Sequence, residues 1–376
     1  MKIPLNKPYW GKEEERAVAR AVRTTIGTGD GPNSALMAQK LAKLLGARFV
    51  FPVTSCTHAM DLAIATLGVG PDDEVIVPSF TMTSTANCIV LRGATPVFVD
   101  IDSRTYNIDP KDIERAITKR TRGIMVVHYA GMGCDMERIR AIAKKHKLFI
   151  VEDAAHAIGA SYKGKMLGTW GDAGAFSFHG TKNVACGEGG ALVTNDKKLA
   201  DKIQIFRANG TNRHAFLKGI VSLYHWVGEG TSYFLSDILA SVVNTQLNKL
   251  QSITKKRKQI SSYYTKSFAE FRNVVQLPVV PPGSRPNWHI YALKFRSADA
   301  RRLFQKKMRA AGIEVSTHYV SLHASPMGRS LGGMRRRLPV TDDVATTLVR
   351  LPIYPGLTKK EQAHIVGTAR TILSSL

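Results

Sequence analysis

Residues 148–156 read Leu148-Phe149-Ile150-Val151-Glu152-Asp153-Ala154-Ala155-His156, an apolar run of strand character that stops at two acidic residues and passes into small helix formers. A run this continuously apolar has no solvated face, which places it inside a sheet covered on both sides. The same pattern repeats outward from it. Strands are predicted at 48–53, 74–77, 95–99, 123–127 and 173–178, with helices between them at 59–67, 110–116, 136–145 and 199–206. Strand and helix alternating in this way specify an α/β fold, with a mostly parallel central sheet and helices on both faces. Beyond it, 253–268 reads as a long polar-faced helix and 278–286 as a proline-rich connection. A smaller α+β unit is expected to follow, with strands at 289–295 and 314–317 and helices at 300–311 and from 359 to the end. The division expected is a large domain of 1–252 and a second part of 253–376 that holds the long helix and the small domain.

The 376 residues, 44% of them hydrophobic, are enough to bury a core of this size. No apolar run approaches the roughly 20 residues of a membrane-spanning helix, and the start MKIPLNKPYWGKEEER lacks the apolar stretch of a signal peptide, so a cytoplasmic protein without membrane insertion is expected. Cys56, Cys88, Cys134 and Cys186 are scattered and show no metal-binding spacing. A disulfide framework and a structural metal are therefore not expected. The net charge of +24 would draw in anions of any kind. Its bases lie in short clusters such as Lys255-Lys256-Arg257-Lys258 and Arg335-Arg336-Arg337, without a zinc-finger or RNA-binding motif, so a solvated surface is expected rather than a nucleic-acid partner.

Three short segments could carry chemistry. In Phe176-Ser177-Phe178-His179-Gly180-Thr181-Lys182-Asn183 an alternating strand runs into a polar turn that presents Lys182. An amine there forms an imine with a carbonyl cofactor if its pKa is lowered, although an ordinary loop lysine has the same address. Asp153 ends the strand at 148–151, and open α/β sheets bind ligands at strand C-termini. It is placed to pair with a protonated pyridine nitrogen, or simply to cap the following helix. Thr54-Ser55-Cys56-Thr57-His58 opens a helix whose free amides and positive dipole end suit a phosphate, though a cap needs the same residue types. His156 is three residues past Asp153, where it could meet the ring or serve as a packed core histidine. Lysine, carboxylate and phosphate cradle together describe a site for pyridoxal phosphate (PLP).

Taken with Gly27-Thr28-Gly29-Asp30-Gly31, Val77-Pro78-Ser79-Phe80-Thr81, Gly187-Glu188-Gly189-Gly190, Tyr233-Phe234-Leu235-Ser236-Asp237 and Leu351-Pro352-Ile353-Tyr354-Pro355-Gly356-Leu357, these segments resemble the DegT/DnrJ family of nucleotide-sugar aminotransferases, PLP-dependent transferases of fold type I. The likeness spans almost the whole chain. Within the family the chain is most similar to TDP-4-amino-4,6-dideoxygalactose transaminases of enterobacterial common antigen synthesis, through Ser55-Cys56-Thr57, Ser84-Thr85-Ala86-Asn87, Leu91-Arg92-Gly93-Ala94, Val127-His128-Tyr129-Ala130-Gly131, Gly210-Thr211-Asn212-Arg213 and His318-Tyr319.

Carried over by position, the resemblance implies that Lys182 is the Schiff-base lysine and acid/base, and Asp153 the partner of the pyridine nitrogen. It makes His156 a ring-side contact where relatives more often have glutamine, and turns Cys56, Thr57 and Ser177 toward the cofactor phosphate. It implies a homodimer with shared active sites, in which the segment before Ser236 reaches the partner's phosphate, with Ser232 where many relatives have asparagine. Met82 occupies a position usually held by an aromatic that stacks on the pyridoxal ring, and a thioether can cover a ring face as well. His318 and Tyr319 become neighbours of the sugar nucleotide. Relatives with histidine in place of Lys182 are dehydratases, so lysine points to transamination. The expected reaction moves the amino group of L-glutamate to the 4-keto group of a nucleotide-linked 4-keto-6-deoxyhexose, with TDP-4-keto-6-deoxy-D-glucose as the foremost substrate. Another 3- or 4-keto nucleotide sugar, or a non-catalytic nucleic-acid-binding member, are the alternatives. Arg207 and Arg213 are candidates for the donor's carboxylate clamp, since guanidinium holds carboxylate in a fork.

Overall fold

A computed structural model of the chain describes residues 2–376. Its centre is a seven-stranded sheet in the order Phe49–Val53, Gly190–Thr194, Ala173–Ser177, Phe149–Asp153, Thr121–Val127, Glu74–Pro78, Thr95–Val99. Every neighbouring pair is parallel except the two made by Gly190–Thr194, which runs antiparallel between its partners. Two apolar clusters cover the sheet, one built on Met37, Ile76, Ile124 and Phe176, the other on Met60, Val75, Met125 and Leu192. Alternating residues of the same strands thus enter opposite cores, the reason the strands read as unbroken apolar runs.

The large sheet agrees with the sequence reading, with two additions. Gly190–Thr194 is a strand hidden behind a glycine-rich approach, and helices Lys12–Thr24 and Pro32–Leu45 precede the first strand. The helix expected at 59–67 begins earlier, at Cys56, because the Ser55 side chain accepts from the His58 amide as an N-cap. Helix Asp237–Ser267 begins well before the expected start; its 31 residues span about 46 Å at 1.5 Å per residue. The division we propose, at residue 252, falls within it.

The small unit carries a three-stranded antiparallel sheet in the order Val275–Gln276, Tyr291–Phe295, Leu348–Leu351, packed under helices Ala298–Ala310 and Lys359–Leu373. The strand expected at 314–317 does not form. That segment makes only single bridges, Ile313 to Ile3 and Ser316 to Arg350, because it runs past the open edge of Leu348–Leu351 without following it. The N-terminal segment links the two units. Ile3 exchanges backbone hydrogen bonds with Gly312 and Glu314, the Asn6 side chain donates to the Thr181 carbonyl (2.7 Å), and the Trp10 indole donates to that of Ala185 (3.1 Å). Among the described residues no helix is long and apolar enough to cross a membrane, no cluster of three metal-ligating side chains occurs, and all four cysteines are buried free thiols.

Candidate active site

Three parallel strands end side by side at Val127, Asp153 and Ser177, and all three residues line one cavity of about 500 Å³. Strand C-termini converge there because each chain leaves the sheet toward the same edge before crossing back. The small unit closes the other side with His289, His318, Tyr319 and Arg350, and Leu5 and Asn6 of the N-terminal segment complete the wall.

Lys182 enters from the turn after Ala173–Ser177, whose geometry is fixed by Lys182 N–H donating to the His179 carbonyl (2.8 Å). Burial lowers the pKa of its amine, partly countered by Asp153 and Cys56 and reinforced by Arg350. Burial that disfavours the ammonium brings a lysine closer to a nucleophile than a hydrated surface lysine is. Asp153 is buried, accepting from Thr85 Oγ1 (2.9 Å) and from the Ala155 amide (3.1 Å). Burial raises its pKa, against those hydrogen bonds and the charges of Lys182 and His128. Beneath it, the adjacent Glu152 accepts from four donors: His128 Nε2 (2.8 Å) and the amides of Gly168, Trp170 and Gly171. Burial opposes a charge on His128, but Cys134 and Glu152 overcome it and hold the pKa up at about 10.

At the other side of the cavity, helix Cys56–Thr66 points its N-terminus inward. Among the described residues the amides of Cys56 and Thr57 have no hydrogen-bond partner, while Thr57 Oγ1 pairs with Ser84 Oγ (2.9 Å). Gly190 lies against this turn, and a β-carbon on it would collide with the Ser55–Cys56 peptide. Ser177, at its strand end, accepts from the His179 amide (3.3 Å). Met82 precedes helix Thr83–Val90 at the cavity mouth and is 54% exposed.

A cluster of rings forms the remaining wall. Tyr319 Oη pairs with His156 Nε2 (3.3 Å), Tyr129 pairs with His318 Nδ1 (3.0 Å), and His318 stacks on Tyr319 with centroids 3.7 Å apart. Burial, with Lys182 and the neighbouring histidines, keeps His156 neutral. Its Nδ1 is buried and finds no protein partner among the described residues.

These groups fit PLP. The two free amides at the start of an 11-residue helix suit a phosphate, the buried Asp153 carboxylate suits a protonated pyridine nitrogen, and the partnerless His156 Nδ1 suits a ring hydroxyl. The structure gathers Lys182, Cys56, Thr57, Met82, Asp153, His156, Ser177, His318 and Tyr319 around one cavity. Ser232 is not among them; it is exposed and bridges to Ala208. The two clamp candidates also lie elsewhere. Arg207 is buried in an ion pair with Asp30 (2.7 Å) and over the Phe234 ring, and Arg213 is exposed at the start of a short helix. Sequence reasoning missed His289 and Arg350. The signal for Arg350 was present in Leu348-Val349-Arg350-Leu351, where a cation interrupts an apolar strand.

The sequence profile of the DegT/DnrJ/EryC1/StrS aminotransferase family matches residues 8–370. The uncharacterized protein MJ1066 of Methanocaldococcus jannaschii is 36% identical over 99% of this chain and 98% of its own length. The spore coat polysaccharide biosynthesis protein SpsC of Bacillus subtilis is 35% identical over 99% of this chain and 97% of its own. Among solved structures, the putative sugar aminotransferase Spr1654 of Streptococcus pneumoniae in its PMP form superposes with a TM-score of 0.93 at 28% identity, covering 100% of both chains. The same protein is known in a PLP form. The fold is accordingly that of the fold-type-I PLP aminotransferases, and the cofactor is PLP. The chain belongs to the DegT/DnrJ/EryC1/StrS aminotransferase family.

Proposed function

We propose that the protein transfers the amino group of L-glutamate to the 4-keto group of a nucleotide-linked 4-keto-6-deoxyhexose, with TDP-4-keto-6-deoxy-D-glucose as substrate and TDP-4-amino-4,6-dideoxy-D-galactose as product. One observation carries the reading: an amine of lowered pKa and a buried carboxylate meet in one cavity opposite a helix N-terminus. The sugar comes from the likeness to Spr1654, described as a sugar aminotransferase, and the particular nucleotide sugar from the sequence likeness around Ser55-Cys56-Thr57 and His318-Tyr319.

When bound, PLP supplies an electron sink for the carbon that bears the amino group. Lys182 would anchor it, and its Nζ, when free, is placed to carry a proton to and from the carbon that bears the amine in each half-reaction. Asp153 would hold positive charge on the ring. The Cys56 and Thr57 amides and Ser177 would hold the phosphate, while His156 and Met82 would flank the ring and His318 and Tyr319 would border the sugar. We further propose a homodimer. Exposed Ile220, Leu223, Tyr224 and Trp226 supply an apolar face, and Ser232, outside its own cavity, is free to face the partner's phosphate.

The test is the visible spectrum of the PLP-loaded protein before and after L-glutamate. The wild type is expected to show a band distinct from free PLP that glutamate abolishes, and Lys182→Ala to show neither. A wild type that leaves the spectrum of free PLP unchanged would refute the reading. Turnover of TDP-4-keto-6-deoxyglucose beside 3-keto, GDP- and UDP-linked sugars then fixes the acceptor.

A further inference from the structure

His289 borders the cavity of Lys182 on a loop that is pinned from both units. It follows Trp288, whose backbone lies in the left-handed region at φ 54°, a conformation that a bulky side chain adopts only where its surroundings enforce it. The Asn287 side chain donates to the His156 and Ile158 carbonyls (2.8 and 2.9 Å) and accepts from the His289 amide (3.1 Å). From the long helix, the buried Arg257 guanidinium donates to the His289 and Ile353 carbonyls (3.1 and 3.0 Å). The His289 ring lies against that of His156, with centroids 4.5 Å apart.

Asn183, the residue after Lys182, decides which ring nitrogen of His289 carries the proton. Its Nδ2 donates to the Asn287 carbonyl (3.1 Å), an oxygen that can only accept, so its Oδ1 is the atom that faces His289 Nδ1 (3.0 Å). That amide oxygen accepts as well. Nδ1 is therefore protonated, and in the neutral ring Nε2 keeps its lone pair. Burial holds the ring neutral, reinforced by Lys182, Arg257, His318 and Arg350. Among the described residues Nε2 has no hydrogen-bond partner, and it stays open to the cavity that the ring lines. Two asparagines thus present one free lone pair to the chamber that holds Lys182.

We propose that His289 Nε2 accepts a hydrogen bond from the sugar hydroxyl beside the reacting carbonyl, and so selects acceptor sugars that carry one. This inference rests on the sugar-aminotransferase reading above. A fixed lone pair suits no other occupant of the chamber. The carboxylates of the amino-acid donor are themselves acceptors, and its amine is consumed in the bond to the cofactor. The cofactor's ring nitrogen and ring hydroxyl are matched by Asp153 and His156. In a 4-keto-6-deoxyhexose the neighbouring hydroxyl is the one on C3, since C5 bears the ring oxygen and the methyl group.

Two substitutions separate this role from packing. His289→Asn keeps an amide donor for Asn183 and removes the acceptor at Nε2, whereas His289→Gln puts an amide oxygen near the Nε2 position and gives up the bond to Asn183. Each is first shown to take up PLP fully and to melt cooperatively. The amine-loaded enzymes then receive TDP-4-keto-6-deoxyglucose or its 3-deoxy analogue, and kcat/KM is compared. Wild type is expected to favour the hydroxylated sugar by about 30-fold or more, the scale of leaving a buried acceptor unpaired, His289→Asn by less than about 3-fold, and His289→Gln by a value between them. The loss should fall on the sugar half-reaction more than on the glutamate one. Nitrogen NMR of histidine-labelled wild type without substrate, assigned by the signal missing from His289→Gln, should show a protonated Nδ1 and a bare Nε2. Full preference retained in His289→Asn would overturn the proposal, as would a proton on Nε2 in place of Nδ1 or a loss confined to the glutamate half-reaction. A wild type that converts keto sugars without preference overturns this proposal alone; one that converts none sinks the sugar reading and the proposal with it.

Discussion

At Asp153 the structure holds a carboxylate that burial pushes toward its neutral form, with Thr85 Oγ1 and the Ala155 amide pulling the other way. A cation brought against it removes the conflict, and this is how the residue would serve a pyridinium. Asp153→Asn keeps the shape and removes the charge. It is expected to bind PLP through Lys182 but to slow the glutamate half-reaction by about 10²–10³-fold, the scale of losing one preorganised electrostatic contact, as read by stopped-flow absorbance. The cavity positions of Lys182 and Asp153 were legible in the sequence because Asp153 ends a strand and Lys182 sits in the turn that follows one, at the edge where such folds bind ligands. The place of His289 and Arg350 in the cavity was not, because it depends on a second unit folding back over the first; for Arg350 the sequence showed only a cation in an apolar strand. The carboxylate clamp was sought at Arg207 and Arg213, but Asp30 neutralises one and the other sits outside the cavity.

The strands Thr121–Val127 and Phe149–Asp153 are tied at their ends by His128 and Glu152. His128→Gln should destabilise the protein by about 1–3 kcal/mol, since it removes one of the four donors of the buried Glu152 and leaves the three backbone amides. The pH dependence follows from the folded pKa of about 10 against an unfolded value near 6.5. The stabilisation is fully present below pH 6.5 and is lost as pH rises through about 10. Urea unfolding at pH 6 and at pH 10.5 checks this: the gap between wild type and variant should narrow at the higher pH, and a constant gap would rule out the ion pair. Most of the central sheet was readable because both its faces are buried. Gly190–Thr194 escaped, since its first residue must be glycine to lie against the Ser55–Cys56 peptide and so resembles the end of a loop. The segment at 314–317 has strand composition but only single bridging partners, information no local pattern contains.

For the molecule as a whole, the segment around residues 216–227 exposes Leu217, Ile220, Leu223 and Trp226, the last 82% exposed, and exposed apolar side chains gathered in one segment suit a protein contact. Sedimentation of the wild type is expected to show a dimer and Trp226→Glu a marked shift toward monomer, with a helical spectrum intact; a wild-type monomer at micromolar concentration would sink the shared-site arrangement. The net charge of +24 opposes such association at low ionic strength, so the shift should be largest there. Nothing in the chain's composition foretold this apolar face, whose exposed residues are interleaved with lysine, glycine and histidine.

The bond between Leu5 and Glu314 joins positions 309 apart along the chain. Closing a contact of that span costs loop entropy, which condensation of each sheet reduces by shortening the effective loop. Since Leu5 and Asn6 are part of the cavity wall and Asn6 braces the turn beside Lys182, the chamber is finished only when this tether docks. A chain truncated before this tether is therefore expected to keep its central sheet and most of its helix content yet to retain PLP less firmly, which equilibrium dialysis would show.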